Sequence, residues 1–145
     1  MKKRNAIYFL LAFLLISCAG KKIDDQLIIA ARDGDVELAR KSLAAGANIN
    51  ACASWEGCDT AIVLAAKSGN QNMVGFLVDN GAQLNNTRPT PLFVAAAFNR
   101  IEVARFLLAH GGTLGSDNDD IEKLKTTLRS KNDQEMVEIL FRKEK

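Results

Sequence analysis

Thr90-Pro91-Leu92-Phe93-Val94-Ala95-Ala96 is the stretch whose reading decides the fold of this chain. Thr90 is a residue that caps helices, because its hydroxyl accepts a hydrogen bond from an orphan backbone N–H of the first turn. Pro91 suits the first helical position, where its missing N–H costs nothing. The paired alanines that follow leave room for a neighbouring helix to approach closely. Gly111 stands sixteen positions after Ala95, and the same interval separates Ala30 from Gly46 and Ala65 from Gly81. Between these markers the three segments keep step. Gly34-Asp35, Gly69-Asn70 and Asn99-Arg100 fill one slot, a turn in each copy. Glu37-Leu38-Ala39, Asn72-Met73-Val74 and Glu102-Val103-Ala104 fill the next. One unit is therefore written three times, and each unit reads as a helix, a turn and a second helix.

The second helix of a unit carries an apolar ridge, Phe76-Leu77-Val78 in one copy and Phe106-Leu107-Leu108 in the next. Gly46, Gly81 and Gly111 come just after these helices, where a left-handed residue closes the C-terminus. His110 lies at the end of such a helix, where positive charge suits the dipole.

Thr90-Pro91-Leu92-Phe93-Val94-Ala95 resembles the ankyrin repeat, matching its T-P-L-H-x-A signature at every specified position except His, replaced by Phe93. The second copy keeps Thr60 and Ala65, the first Leu27 and Ala30. The resemblance runs from about residue 24 to about residue 141 and implies an all-α ankyrin-repeat solenoid. Copy spacing is 35 residues and then 30, against about 33 in the family. The helical parts stay constant, so the variation falls in the connecting fingers, long from Asn50 to Asp59 and short from Asn85 to Pro89.

The ends are expected to differ from the middle, since an end repeat has no neighbour on its outer side. In the first copy the ridge reads Lys41-Ser42-Leu43, polar as expected of a cap. At the other end Glu135-Met136-Val137-Glu138-Ile139-Leu140 repeats the second-helix pattern 33 positions after Glu102. Its first helix, about Ile121 to Leu128, lacks the alanine pair. The expected architecture is three repeats plus a degenerate C-terminal capping repeat.

The N-terminus has a different character. Met1 to Arg4 are positively charged and Ala6 to Ile16 form eleven apolar residues, the layout of an export signal and shorter than the roughly 20 residues of a membrane-spanning helix. Leu15-Ile16-Ser17-Cys18 resembles the bacterial lipobox. That resemblance implies diacylglyceryl transfer to the Cys18 thiol, cleavage before Cys18 and acylation of the new amino group. Several acyl chains would anchor stably where one holds only marginally. Residues 1–17 are then a signal peptide, 18–23 a short tether and 24–145 the repeat domain. Ala19, where an inner-membrane retention signal places Asp, points to the outer membrane, facing the periplasm.

Without Lys2, Lys3 and Arg4, 16 basic residues face 17 acidic ones. So balanced a domain lacks the basic face that nucleic acid demands. No P-loop, G-x-G-x-x-G or G-x-S-x-G occurs, and the single His has no positioned nucleophile. No enzyme activity, catalytic residue or cofactor is expected. Asp117, Asp119 and Asp120 lack the Gly and Glu of a calcium loop and read as helix caps.

Cys52 and Cys58 remain after Cys18 is assigned to lipid. An even pair in an exported protein reads as a disulfide, here worth very roughly 2 kcal/mol. Free thiols and a metal site are the alternatives, although zinc needs four ligands and the one His is far off. Trp55, with Glu56 beside it, lies between those cysteines. It serves either as a partner-binding anchor, since Trp is enriched in hot spots and a stapled loop is preorganised, or as a lid over its own finger. A monomeric module whose fingers and concave helical face grip a protein is the leading functional expectation. Its narrower forms are an immunity protein neutralising a secreted toxin or lipase, and a structural accessory of an envelope complex.

Overall fold

The computed structural model describes residues 20–53, 59–115, 117–131 and 133–141. Eight helices dominate these residues. They are α1 (residues 20–33), α2 (Val36–Ala44), α3 (Ala61–Ser68), α4 (Gln71–Asp79), α5 (Pro91–Ala97), α6 (Ile101–Ala109), α7 (Asn118–Ser130) and α8 (Gln134–Phe141). Two short strands, β1 (Cys52–Ala53) and β2 (Asp59–Thr60), pair antiparallel with Cys52 opposite Thr60. Residues 20–23, expected within a tether, are continuous with α1.

Each unit is a helix pair, and the pairs stack. α3 packs on α4 and α5 on α6 within units, while α3–α5, α5–α7, α2–α4, α4–α6 and α6–α8 contacts join units. Odd-numbered helices form one layer and even-numbered helices the other. Ala30, Ala31, Ala65, Ala66, Ala95 and Ala96 are all fully buried, so the alanine pairs set how closely the first helices approach. Between the layers lie Leu27, Ile62 and Leu92 from the first helices, with Met73, Val74, Leu77, Val103, Ala104 and Leu107 from the second.

The turns repeat as faithfully as the helices. Every first helix ends when the amide five residues after the first alanine position folds back on its carbonyl. Asp35 N donates to Ala30 O at 2.9 Å, Asn70 N to Ala65 O at 3.3 Å, Arg100 N to Ala95 O at 2.7 Å and Asp133 N to Leu128 O at 3.0 Å. This wrap needs a left-handed residue just before the donating amide. Gly34 and Gly69 supply it in two copies; in the third Asn99 does so at φ 53°, held by its Nδ2 donating to Asp133 Oδ1 at 3.3 Å. Asp35 and Asn70 then cap the following helices, accepting from Leu38 N and Met73 N. Gly46, Gly81 and Gly111, as expected, adopt positive φ after the second helices.

The apolar ridge needs correction at two places. Ser42 occupies the slot of Leu77 and Leu107 but is buried, not turned outward. Its hydroxyl is satisfied within α2, donating to Leu38 O at 2.9 Å, which removes the desolvation penalty of an unpaired buried hydroxyl. The cap's polar character sits instead on exposed Lys41. Leu108, expected in the ridge, is 36% exposed; the inward stripe is Val103, Ala104 and Leu107, at i, i+1 and i+4 of one helical face.

The expected fourth unit is present as α7 and α8, packed on α5 and α6. α7 is 13 residues long and begins three residues before its expected start. Asp117 caps it, accepting from Asp119 N and Asp120 N, which is the capping role expected for this acidic cluster. Leu128 stands where the other units have alanine and is buried. The larger side chain is accommodated because no further unit packs beyond α7 among the described residues.

Candidate protein-binding surface

Asn50 and Asn85, recurring at one slot after the second helices, tie the fingers of neighbouring units together, and Asp24 of α1 holds the first finger in the same way. Asp24 Oδ1 accepts from Asn48 N at 2.6 Å, Asn50 Oδ1 from Gln83 N at 2.9 Å, and Asn85 Oδ1 from Thr113 N at 2.8 Å. Asn85 also donates through Nδ2 to Gly111 O at 3.0 Å. Asn48, Gln83 and Thr113 are equivalent positions, so the three bonds form a ladder along the finger edge. The equivalence of Asn50 and Asn85, spaced like Ala30 and Ala65, was the sequence signal for this ladder.

Thr90 fulfils its expected cap. Its hydroxyl accepts from Phe93 N at 3.3 Å and donates to Thr113 O at 2.8 Å, joining helix start to the next finger. Thr60 is equally buried and stands at the same slot, yet its Oγ1 has no hydrogen-bond partner among the described residues. Between the short finger and the start of α7 lies a cleft of about 300 Å³, lined by Arg88, Pro89, Phe93, Leu114, Asp117 and Asp120 among others.

The long finger opens as a hairpin. β1 and β2 bring Ala53 opposite Asp59, so the chain leaves and re-enters the stack at one point. Cys52 is exposed and disulfide-bonded. Cys58, expected as its partner, lies outside the described residues, as do Trp55, Glu56 and Cys18. No helix among the described residues is long and apolar enough to cross a membrane.

The helical face expected to share in binding carries a second surface, on the open side of the first-helix layer, whose residues the sequence did not single out. Ile29 and Phe98 are exposed there at 38% and 48%. A shallow depression of about 320 Å³ is lined by Arg32, Leu64, Lys67, Ser68, Phe98 and Arg100. Lys67 Nζ sits 5.5 Å from the centre of the Phe98 ring, a cation–π distance. Arg100 crosses the turn of the preceding unit and donates from Nε to Lys67 O at 3.0 Å. The exposure of Phe98 had no signature in the sequence, because its slot is filled by Asp33 and Ser68 in the other copies.

A stack of helix pairs with projecting fingers, no deep enclosed cavity among its described residues and an exposed apolar face defines a protein–protein interaction module. A family model for ankyrin repeats (3 copies) matches residues 27–120. An ankyrin repeat and KH domain-containing protein of Caenorhabditis briggsae is similar to this chain, 32% identical over 110 residues. That similarity covers 69% of this chain and 4% of the relative, so the chain spans only a small part of that protein's length. This chain belongs to the ankyrin-repeat family.

Proposed function

We propose that this protein is a lipid-tethered ankyrin module of the bacterial envelope that binds another protein through its long finger. The observation that carries the reading is the β1–β2 hairpin, whose ladder pairs Cys52 with Thr60 and Ala53 with Asp59. Asn50 at its base is fixed to Gln83 of the next unit, so the finger emerges from an anchored stem. A pairing of Cys52 with Cys58 would hold Trp55 and Glu56 in a closed loop of seven residues, lowering the ordering cost of a contact. The tether rests on Leu15-Ile16-Ser17-Cys18 behind an eleven-residue apolar stretch. Acylation at Cys18 would place the stack beside the outer membrane on its periplasmic side. Binding is the step common to an immunity protein, an inhibitor and an envelope accessory.

Two experiments test this. Intact-mass measurement of the protein from envelopes is expected to show a mature N-terminus at Cys18 carrying acyl chains, and Cys18→Ser an unprocessed precursor. A mature protein starting elsewhere, or lacking acyl mass, removes the tether. Trp55→Ala is expected to weaken partner binding by about 2 kcal/mol or more, as at a hot spot, with its thermal midpoint nearly unchanged. If Trp55→Ala instead unfolds the protein, the indole covers its own finger and binding lies elsewhere.

A further inference from the structure

The expected tether is absorbed into a rigid element. α1 is already helical at residue 20 and runs to residue 33, so Ala19 alone separates it from Cys18. Two residues span at most about 7 Å, too little to let the stack swing freely about an anchored Cys18. The first helices start at the edge that carries the fingers. α3 follows β2 directly, and Asp24 near the start of α1 accepts from Asn48 N of the first finger. The first two copies are 35 residues apart, so the start of α3 at Ala61 corresponds to Gln26 within α1. From residue 20 to Gln26, α1 runs six residues past that level, about 9 Å. An anchor at Cys18 is therefore an anchor at the finger edge of the first unit.

The chemistry of that edge suits phospholipid headgroups. Gly20, Lys21 and Lys22 are exposed. Lysines near a helix start oppose the dipole, whose N-terminal end favours anions; α2, α6, α7 and α8 each place Asp or Glu there instead. Of the carboxylates that follow in α1, Asp24 is spent on Asn48 N and Asp25 is half-buried. The loops of the first two fingers, residues 45–53 and 80–90, hold twenty residues with no carboxylate and one cation, Arg88. The far end of the same edge is different. There α7 starts beside Asp117, Asp119 and Asp120, all exposed.

We infer that the finger edge of the first two units rests on anionic phospholipid headgroups, with Lys21 and Lys22 facing the phosphates and the last unit lifted away by its aspartates. This orientation rests on the reading that Cys18 is acylated, and adds which way the anchored stack faces. Chain length selects a lipid surface as the occupant, because it holds the start of α3 within about 16 Å of the acylated residue along the helix direction. Lys21, three residues from Cys18, stays within about 10 Å of the anchor, where attraction to anionic lipid is still felt through salt. The β1–β2 stem then opens toward the bilayer, and a partner gripped by the long finger is met at the membrane surface.

The acylated chain purified from envelopes is reconstituted in phosphatidylethanolamine–phosphatidylglycerol vesicles carrying a quencher on the headgroup. Fluorophores are attached one at a time through Ala45→Cys at the finger edge of the first unit, Ser68→Cys at the opposite edge and Asn118→Cys at the start of α7, all exposed positions. Strong quenching at position 45 and weak quenching at 68 and 118 is expected. That contrast should be lost on inserting a flexible Gly/Ser segment between Ala19 and Gly20. It should also fall in the double variant Lys21→Glu with Lys22→Glu, and in phosphatidylcholine vesicles. Circular dichroism verifies that each variant is folded, and flotation with the vesicles reports the anchor separately. A chain that does not float loses the anchor and this orientation with it. A chain that floats with equal quenching at the three positions, or with position 68 quenched most, keeps the anchor and overturns the orientation alone. Contrast undiminished by the insert, or undiminished both in the lysine variant and on phosphatidylcholine, overturns it as well.

Discussion

Truncating Leu107 to Ala probes the register on which the whole stack depends. Leu107 is fully buried, one turn beyond Val103 on the inward stripe of α6. Its carbonyl also accepts from Gly112 N at 2.8 Å, closing the helix, a backbone bond that truncation leaves intact. Removing about three buried carbons at ~0.8 kcal/mol each costs about 2.4 kcal/mol in transfer alone. The cavity left between the two helix layers raises the expected loss to about 2–5 kcal/mol. Leu108→Ala, one residue on and facing out, is expected to cost less than about 1 kcal/mol. Equilibrium urea unfolding followed by helical circular dichroism compares the two. With a slope of about 1–3 kcal/mol per molar, Leu107→Ala should lower the midpoint by ~1 M or more. A shallower slope or a split transition would mark loss of cooperativity between neighbouring units. Equal midpoints for the two variants would refute the inward placement of Leu107 and with it the alignment of the units.

Thr90→Val removes a buried hydroxyl that both accepts from Phe93 N and donates to Thr113 O, and should cost about 1–3 kcal/mol. Thr60→Val deletes a buried hydroxyl without a partner among the described residues and should be neutral or stabilising; a larger loss at Thr60 than at Thr90 would contradict this. Gly46→Ala, at φ 94° with open space around its Cβ, should show the left-handed backbone cost alone, about 1 kcal/mol. Gly69→Ala adds a Cβ 2.7 Å from Arg100 Cδ and should cost more, with the excess vanishing in an Arg100→Ala background. Asn85→Ala severs the finger ladder at Thr113 N and Gly111 O, and amide exchange at Thr113 should accelerate while helix amides stay protected.

The elements that local chemistry specifies were legible in the sequence. Thr90-Pro91, the alanine pairs and the glycines at 46, 81 and 111 each set a backbone feature by their own covalent nature, so their roles carry over directly into structure. Asp117 read correctly as a cap for the same reason. Burial of single side chains was less legible, because adjacent ridge residues point in different directions. Ser42 looked like a surface residue by type, yet a carbonyl four residues back accepts its proton and lets it sit inside. Leu108 looked like core by type, yet it falls outside the stripe that Val103, Ala104 and Leu107 define. The Phe98 depression was invisible for a different reason. It is assembled from three units, and no single copy contains its apolar centre together with its cations.

Photo-crosslinking from the finger in living cells tests the proposed binding role most directly. A photoreactive amino acid at position 55 is expected to give one discrete crosslinked protein in the envelope fraction. The same group at exposed Lys41, on the second-helix layer away from the finger, is expected to give none. A crosslink from position 41 without one from position 55, or none from either, would contradict a partner gripped by the long finger.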